Sequence, residues 1–105
     1  MSAASMIGIA RKAGALTTGL ESVLRAIRTH KALLVITAAD ASAGSLKTVR
    51  DKCSFYAVRC EGTALTKSEL GHAAGRGETS VAAFTELTFV NGYLKACERE
   101  SGTTR

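Results

Sequence analysis

Apolar residues recur along this chain in two rhythms, a spacing of three and four residues and short unbroken runs, and these alternate. The first rhythm predicts a helix over Ser5–Ala13, with Met6, Ile9, Ala10 and Ala13 on one stripe, Ser5 as N-cap and Gly14 as its stop. Leu16–Thr18 reads as a short extended piece. Gly19–Thr29 reads as an amphipathic helix burying Val23, Leu24 and Ile27. Leu33–Ala38 (LLVITA) is a continuous β-rich run, which is the pattern of a strand covered on both faces.

Farther on, Asp40 and Ser42 offer caps for a helix over Ala43–Ser54 with Leu46, Val49 and Cys53 inward. Phe55–Cys60 is expected to be a second strand. Thr66–Ala74 opens with a capping box, Thr66 with Glu69 three residues on. After a Gly75-Arg76-Gly77 turn, Ser80–Phe84 is expected to be a third central strand. Thr85–Glu98 is expected to be the last helix, with Leu87, Val90, Leu94 and Cys97 in register. Residues from about 101 onward are expected to fray. Strands alternating with helices predict an α/β fold, a three-layer α/β/α sandwich around a small mixed sheet. At 105 residues without repeat or linker, a single domain is expected.

Charge adds a direction. The formal net charge is +5. Residues 1–31 hold Arg11, Lys12, Arg25, Arg28 and Lys31 against one acid, Glu21, whereas the remainder holds nine basic and eight acidic groups. The excess is therefore concentrated in the segment that contains the amphipathic helix, and it favours a polyanionic partner.

Candidate catalytic chemistry is sparse. Gly71, Gly75 and Gly77 fit neither a dinucleotide fingerprint nor a P-loop, and read as glycines that end a helix and make a turn. His30 falls at a helix end, where a cation suits the dipole. His72 falls within a helix, with no partner in the pattern. Cys53, Cys60 and Cys97 lack any CxxC spacing and read as small, reduced, buried thiols, so neither a metal site nor a cofactor is expected. With no leader or membrane-length run, a monomer in the reducing cytoplasm is expected, without membrane contact.

The face opposite the helix's buried stripe is more specific. Glu21, Arg25 and Arg28 lie at i, i+4, i+7. Glu21 and Arg25 have the spacing and order of an intrahelical ion pair. The same residues suit RNA. A helix opening after Gly19 has free N–H groups for an anion, Arg25 can donate to a guanine edge, and Glu21 can accept from one. Arg28 and Lys31 would then hold phosphates.

The order "ARKAGALTTGLESVLRAIRTHKALLVITAADAS", "DKCSFYAVRC", "TKSELGHAAGR" resembles the ribosomal protein family of L-seven-Ae and L-thirty-e, and within it the small bacterial YlxQ-type members. The resemblance covers about Met6 to Phe84. It implies a non-enzymatic protein that binds kink-turns in ribosomal or other structured RNA, possessing no cofactor and associated with ribosomes. The family's glycine before its recognition helix falls on Gly19. Its Asn-Glu contact pair falls on Glu21-Ser22, the Glu-Ser of the bacterial type. Its lysine one turn later falls on Arg25, and the basic pair before the glycine falls on Thr17-Thr18. Leu20 stands where bacterial members tend to have a polar residue. The family's apolar second contact falls on the loop from Ala74 to Thr79, where Gly75, Arg76 and Gly77 stand and Arg76 is a candidate phosphate or stacking group. Loss of the basic pair should weaken phosphate contact. The rival reading is a protein-interaction module on the same scaffold, in which binding moves to an exposed apolar patch, and absence of a basic surface around Gly19 would favour it; an exposed Leu20 could pack on a sugar or base as readily as on a protein partner.

Overall fold

The computed structural model describes residues 2–100, and in them each strand is interleaved with a helix. The order is α1 (Ala3–Lys12), β1 (Leu16–Thr18), α2 (Leu20–Arg28), β2 (Leu34–Thr37), α3 (Ala43–Tyr56), β3 (Arg59–Gly62), α4 (Lys67–Ala73), β4 (Val81–Phe84) and α5 (Leu87–Glu100). The sheet runs β1-β4-β2-β3. β4 is antiparallel to both its neighbours, while β2 and β3 are parallel and joined through α3. The sheet is mixed, as the alternation of patterns predicts.

Both central strands are buried along their whole length, and their side chains sort by parity. Leu34 and Ile36 of β2, with Ala82 and Phe84 of β4, face a core closed by α1, α4 and α5 through Ile7, Leu70 and Tyr93. Val35, Val81 and Ala83 face a second core closed by α2 and α3 through Val23, Ile27, Val49 and Cys53. Period-2 side-chain alternation in an unbroken apolar run thus makes three layers.

Four helix ends carry the hydrogen-bond pattern in which the last carbonyls are closed by the two residues that follow. In α1, Ala15 donates to Ala10 and Gly14 to Arg11; in α4, Arg76 donates to Gly71 and Gly75 to His72. In α2, Lys31 donates to Ala26 and His30 to Ile27; in α3, Val58 donates to Cys53 and Ala57 to Ser54. The residue in left-handed conformation is Gly14, Gly75, His30 and Ala57 respectively.

Some expected boundaries move. α1 begins at Ala3 because Ser2, not Ser5, caps it, its hydroxyl accepting from the Ser5 N–H at 3.0 Å. The buried stripe is consequently Ala3, Ile7 and Ala10, leaving Ile9 and Ala13 outward. Asp40 does not cap α3. Ser42 does, while the Asp40 carboxylate accepts from the Lys67 N–H at 2.7 Å. Phe55 and Tyr56 do not open a strand: α3 runs through them and ends only at left-handed Ala57, so β3 starts at Arg59. α5 starts at Leu87 and buries Val90, Tyr93 and Ala96, so Leu87 lies outside the stripe and is exposed. The capping box on α4 is present with both of its hydrogen bonds. Cys53 is buried, Cys60 and Cys97 are half-buried, and all three are free thiols. The expected frayed tail lies outside the described residues.

Candidate nucleic-acid interface

β1 ends at Thr18 and the chain turns into α2 at Gly19, whose φ of 94° and ψ of 147° belong to a region that only glycine occupies readily. This conformation leaves the N-terminus of α2 open. α1, α3 and α4 each have a Ser or Thr hydroxyl accepting from the first turn, and α2 has no side-chain cap. Its first intrahelical bond runs from Val23 to the Gly19 carbonyl at 2.9 Å. The N–H groups of Leu20, Glu21 and Ser22 therefore have no acceptor among the described residues. Nothing lies within 4 Å of the position a side chain at Gly19 would take, so a ligand can approach the backbone there.

The loop after α4 comes to the same place. Thr18 pairs with Ala82 across the β1–β4 ladder, and the Gly19 N–H donates to the Val81 carbonyl at 3.1 Å. Residues 75–80 thus emerge next to the start of α2, although 56 positions separate Gly19 from Gly75 in the chain. The loop is anchored from beneath. Thr79 is buried, its hydroxyl donates to the Gly77 carbonyl at 2.9 Å, and its N–H donates to the Lys67 carbonyl at 3.0 Å. Gly71 gives the room, because a side chain there would collide with the backbone of Gly77. Gly75, Arg76 and Gly77 are all exposed.

Glu21 and Arg25 are exposed on the outer face of α2, and no ion pair joins them. The intrahelical pair that the spacing permits is not made, so the Arg25 fork is left for another acceptor. Thr17, Thr18 and Ser22 are half-buried along the approach. Leu20 is half-buried too, packed on the α2–α3 core rather than standing out as an apolar patch. Arg28 is exposed one turn beyond Arg25. Lys31 lies past the helix's C-terminal cap, beyond a helix that extends about 13 Å from Gly19, so it belongs to the opposite end of α2.

One basic group near the site escapes sequence reasoning. A methyl group at Gly75 would stand 3.0 Å from Cζ and Nη1 of Arg11, which places that guanidinium against the loop. Arg11 comes from α1, and only its share in the N-terminal charge excess marked it. Arg25 and Arg76 are exposed, as are Glu21 and Glu78.

The family described as "Ribosomal protein L7Ae/L30e/S12e/Gadd45 family" matches residues 1–93. A protein of Bacillus subtilis called "RNA-binding protein YlxQ" is 33% identical over 89 residues, covering 85% of this chain and 88% of its own length. A protein of the same name from Enterococcus faecium is 47% identical over 58 residues, so that match spans 55% of this chain and 56% of the Enterococcus protein. Among solved structures, a Bacillus halodurans protein of unknown function superposes with a TM-score of 0.84 at 28% identity, covering 91% of this chain and 96% of that one. The "Giardia lamblia 15.5kD RNA binding protein" has the same fold, with a TM-score of 0.71 at 22% identity over 91% of this chain and 82% of its own.

Proposed function

The chain belongs to the ribosomal protein L7Ae/L30e/S12e/Gadd45 family, and from that premise we propose that it is a non-catalytic, cytoplasmic RNA-binding protein whose partner is a kink-turn in ribosomal or other structured RNA. The observation that carries this reading is the uncapped start of α2 standing beside the 75–80 loop. In an ordinary A-form helix the major groove is too deep and narrow for side chains to read. A kink-turn, a helix–bulge–helix with tandem sheared G·A pairs, opens guanine edges to a protruding helix end. In the proposed complex the N–H groups of Leu20, Glu21 and Ser22 meet phosphate or base acceptors with the favourable end of the helix dipole behind them. Glu21 accepts from guanine N1–H and N2–H, and Arg25 donates to O6 and N7. Gly75, Arg76 and Gly77 flank the bulge, with Arg76 on phosphate. Arg28 extends the basic track along α2, and Lys31 lies too far along it to share the same phosphates.

Thr17 and Thr18 offer hydroxyls where a basic pair would offer charge, so affinity should depend less steeply on salt than in relatives that keep the pair. The half-buried Leu20 weighs against the protein-docking alternative at this face, because it leaves no apolar patch there.

The test is a gel-shift titration at stated salt against a kink-turn RNA and a version in which the G·A pairs are replaced by Watson–Crick pairs. Tight binding to the first alone supports the reading, with Arg25→Ala weakening it by about 1–3 kcal/mol. Equal affinity for both RNAs would refute kink-turn recognition.

A further inference from the structure

The opposite end of α2 presents a different surface. Phe55, in the last turn of α3, is 79% exposed. Its ring meets Tyr56 edge-on with centroids 4.9 Å apart, and Tyr56 meets His30 edge-on at 5.7 Å. The three rings form a row between the C-terminal ends of α2 and α3. A shallow cavity of about 250 Å³ lies alongside, bounded by Asp51, Lys52, Phe55 and Tyr56.

Two further features single out this place. α1 and α4 end on left-handed glycines, Gly14 and Gly75, whereas α2 and α3 end on His30 at φ 61° and Ala57 at φ 57°. The less comfortable choice at His30 places an imidazole on Tyr56 where glycine would place nothing. The charge is also one-sided. Asp51 is neutralised by Lys47 at 2.9 Å, while Lys52, Lys31 and Arg28 have no ion pair among the described residues. The last carbonyls of both helices are closed by the backbone bonds from Lys31 and Val58, which blunts their repulsion of an anion.

A solvent-facing phenylalanine beside Lys52 suits an unpaired nucleotide, whose base stacks while its phosphate meets ammonium. A protein partner fits less well. A stable protein interface buries on the order of 1,000 Å² or more, and here a single exposed ring stands at the end of a row whose other members, Tyr56 and His30, carry polar groups. We propose that Phe55, supported by Tyr56, His30 and Lys52, is a second RNA contact that stacks an unpaired nucleotide at the end of α2 opposite Gly19. The inference rests on the reading above for the nature of the polymer only. The exposed track of Arg25 and Arg28 joins the two ends, so one RNA with a single-stranded extension can span both.

The test uses the full chain and fluorescence anisotropy with two probes, a blunt-ended kink-turn and an oligouridine of about ten nucleotides. Phe55→Ala should weaken oligouridine binding by about tenfold and leave the kink-turn titration unchanged. Phe55→Trp should preserve oligouridine binding, and Lys52→Ala should reduce its salt dependence. Arg25→Ala should weaken the kink-turn titration, while oligouridine binding keeps its dependence on Phe55. If kink-turn preference fails while oligouridine binding still depends on Phe55, the second contact stands and the first reading falls. Oligouridine binding that is absent, or indifferent to Phe55→Ala, would overturn the proposal. So would sedimentation showing that the substitution dissolves a dimer without altering oligouridine binding, because the ring would then be covered by a second copy.

Discussion

The backbone N–H of Gly19 donates to the carbonyl of Val81 at 3.1 Å, just beyond the end of the β1–β4 ladder. This one bond ties the start of α2 to the strand that follows the 75–80 loop. The two parts of the proposed interface are therefore held by a central strand of the sheet, buried along its length. A site on such a frame can be shaped before its ligand arrives, which reduces the ordering cost of binding.

Gly19→Ala tests the conformation at that junction. Nothing lies within 4 Å of the added methyl group, so the substitution meets no clash, but φ stays at 94° only under strain. The expected loss of stability is about 1–3 kcal/mol, read by urea denaturation. RNA affinity should fall further than stability alone accounts for, because relaxing φ turns the free N–H groups of α2 away. Unchanged stability would mean that glycine is not required there.

Gly71→Ala tests the loop. The new methyl group would press into the backbone of Gly77, which cannot move without disturbing the bonds made by Thr79. Overpacking of this kind costs about 1–3 kcal/mol. The accompanying displacement of residues 75–77 should weaken binding to the kink-turn probe while the α2 contacts persist. Amide chemical shifts separate the two effects: the loop should move and residues 19–25 should not.

Much of this was legible in the sequence, for identifiable reasons. The runs that form β2 and β4 are apolar but for Thr37 and buried at every position, and the capping box at Thr66 and Glu69 marks α4 to the residue. Gly19 followed by a polar face also located the open helix end. Phe55 and Tyr56 misled because aromatic residues favour strands locally, and nothing nearby indicated that α3 would continue to a left-handed alanine. Ser5 misled because Ser2 caps equally well three residues earlier. Arg11 against Gly75 was invisible, since only the packing of α1 on α4 brings them together.

Ala57→Gly is expected to stabilise the protein. At φ 57° the alanine holds a conformation that glycine adopts freely, and the gain, less the extra freedom of the unfolded chain, is about 0.5–1 kcal/mol. For a domain of this size the melting temperature should rise by about 4–8 °C per kcal/mol. His30→Gly relieves the same strain but removes the ring contact with Tyr56, so its gain should be smaller. Equal gains at the two positions would indicate that the imidazole contributes nothing to stability.

Alkaline pH should expose the contribution of Cys53. The thiol is buried between α3 and the sheet, and desolvation, with Cys60 adding a smaller effect, pushes it up to about 12. A group held above its unfolded value, about 8.5 for cysteine, favours folding fully below that value, and the advantage disappears as pH rises through the interval between the two. From about pH 9 to about pH 11 this proton should steepen the loss of stability by at most about 1.4 kcal/mol per pH unit. Cys53→Ala lowers stability at every pH through the space it leaves, so the slope, not the level, is the diagnostic. Urea midpoints measured across that interval should fall less steeply in the variant. Some slope should survive, because burial also raises Cys60 and Tyr93 above their ordinary values. Parallel lines for variant and wild type would show that Cys53 ionises as freely in the folded protein as in the unfolded chain.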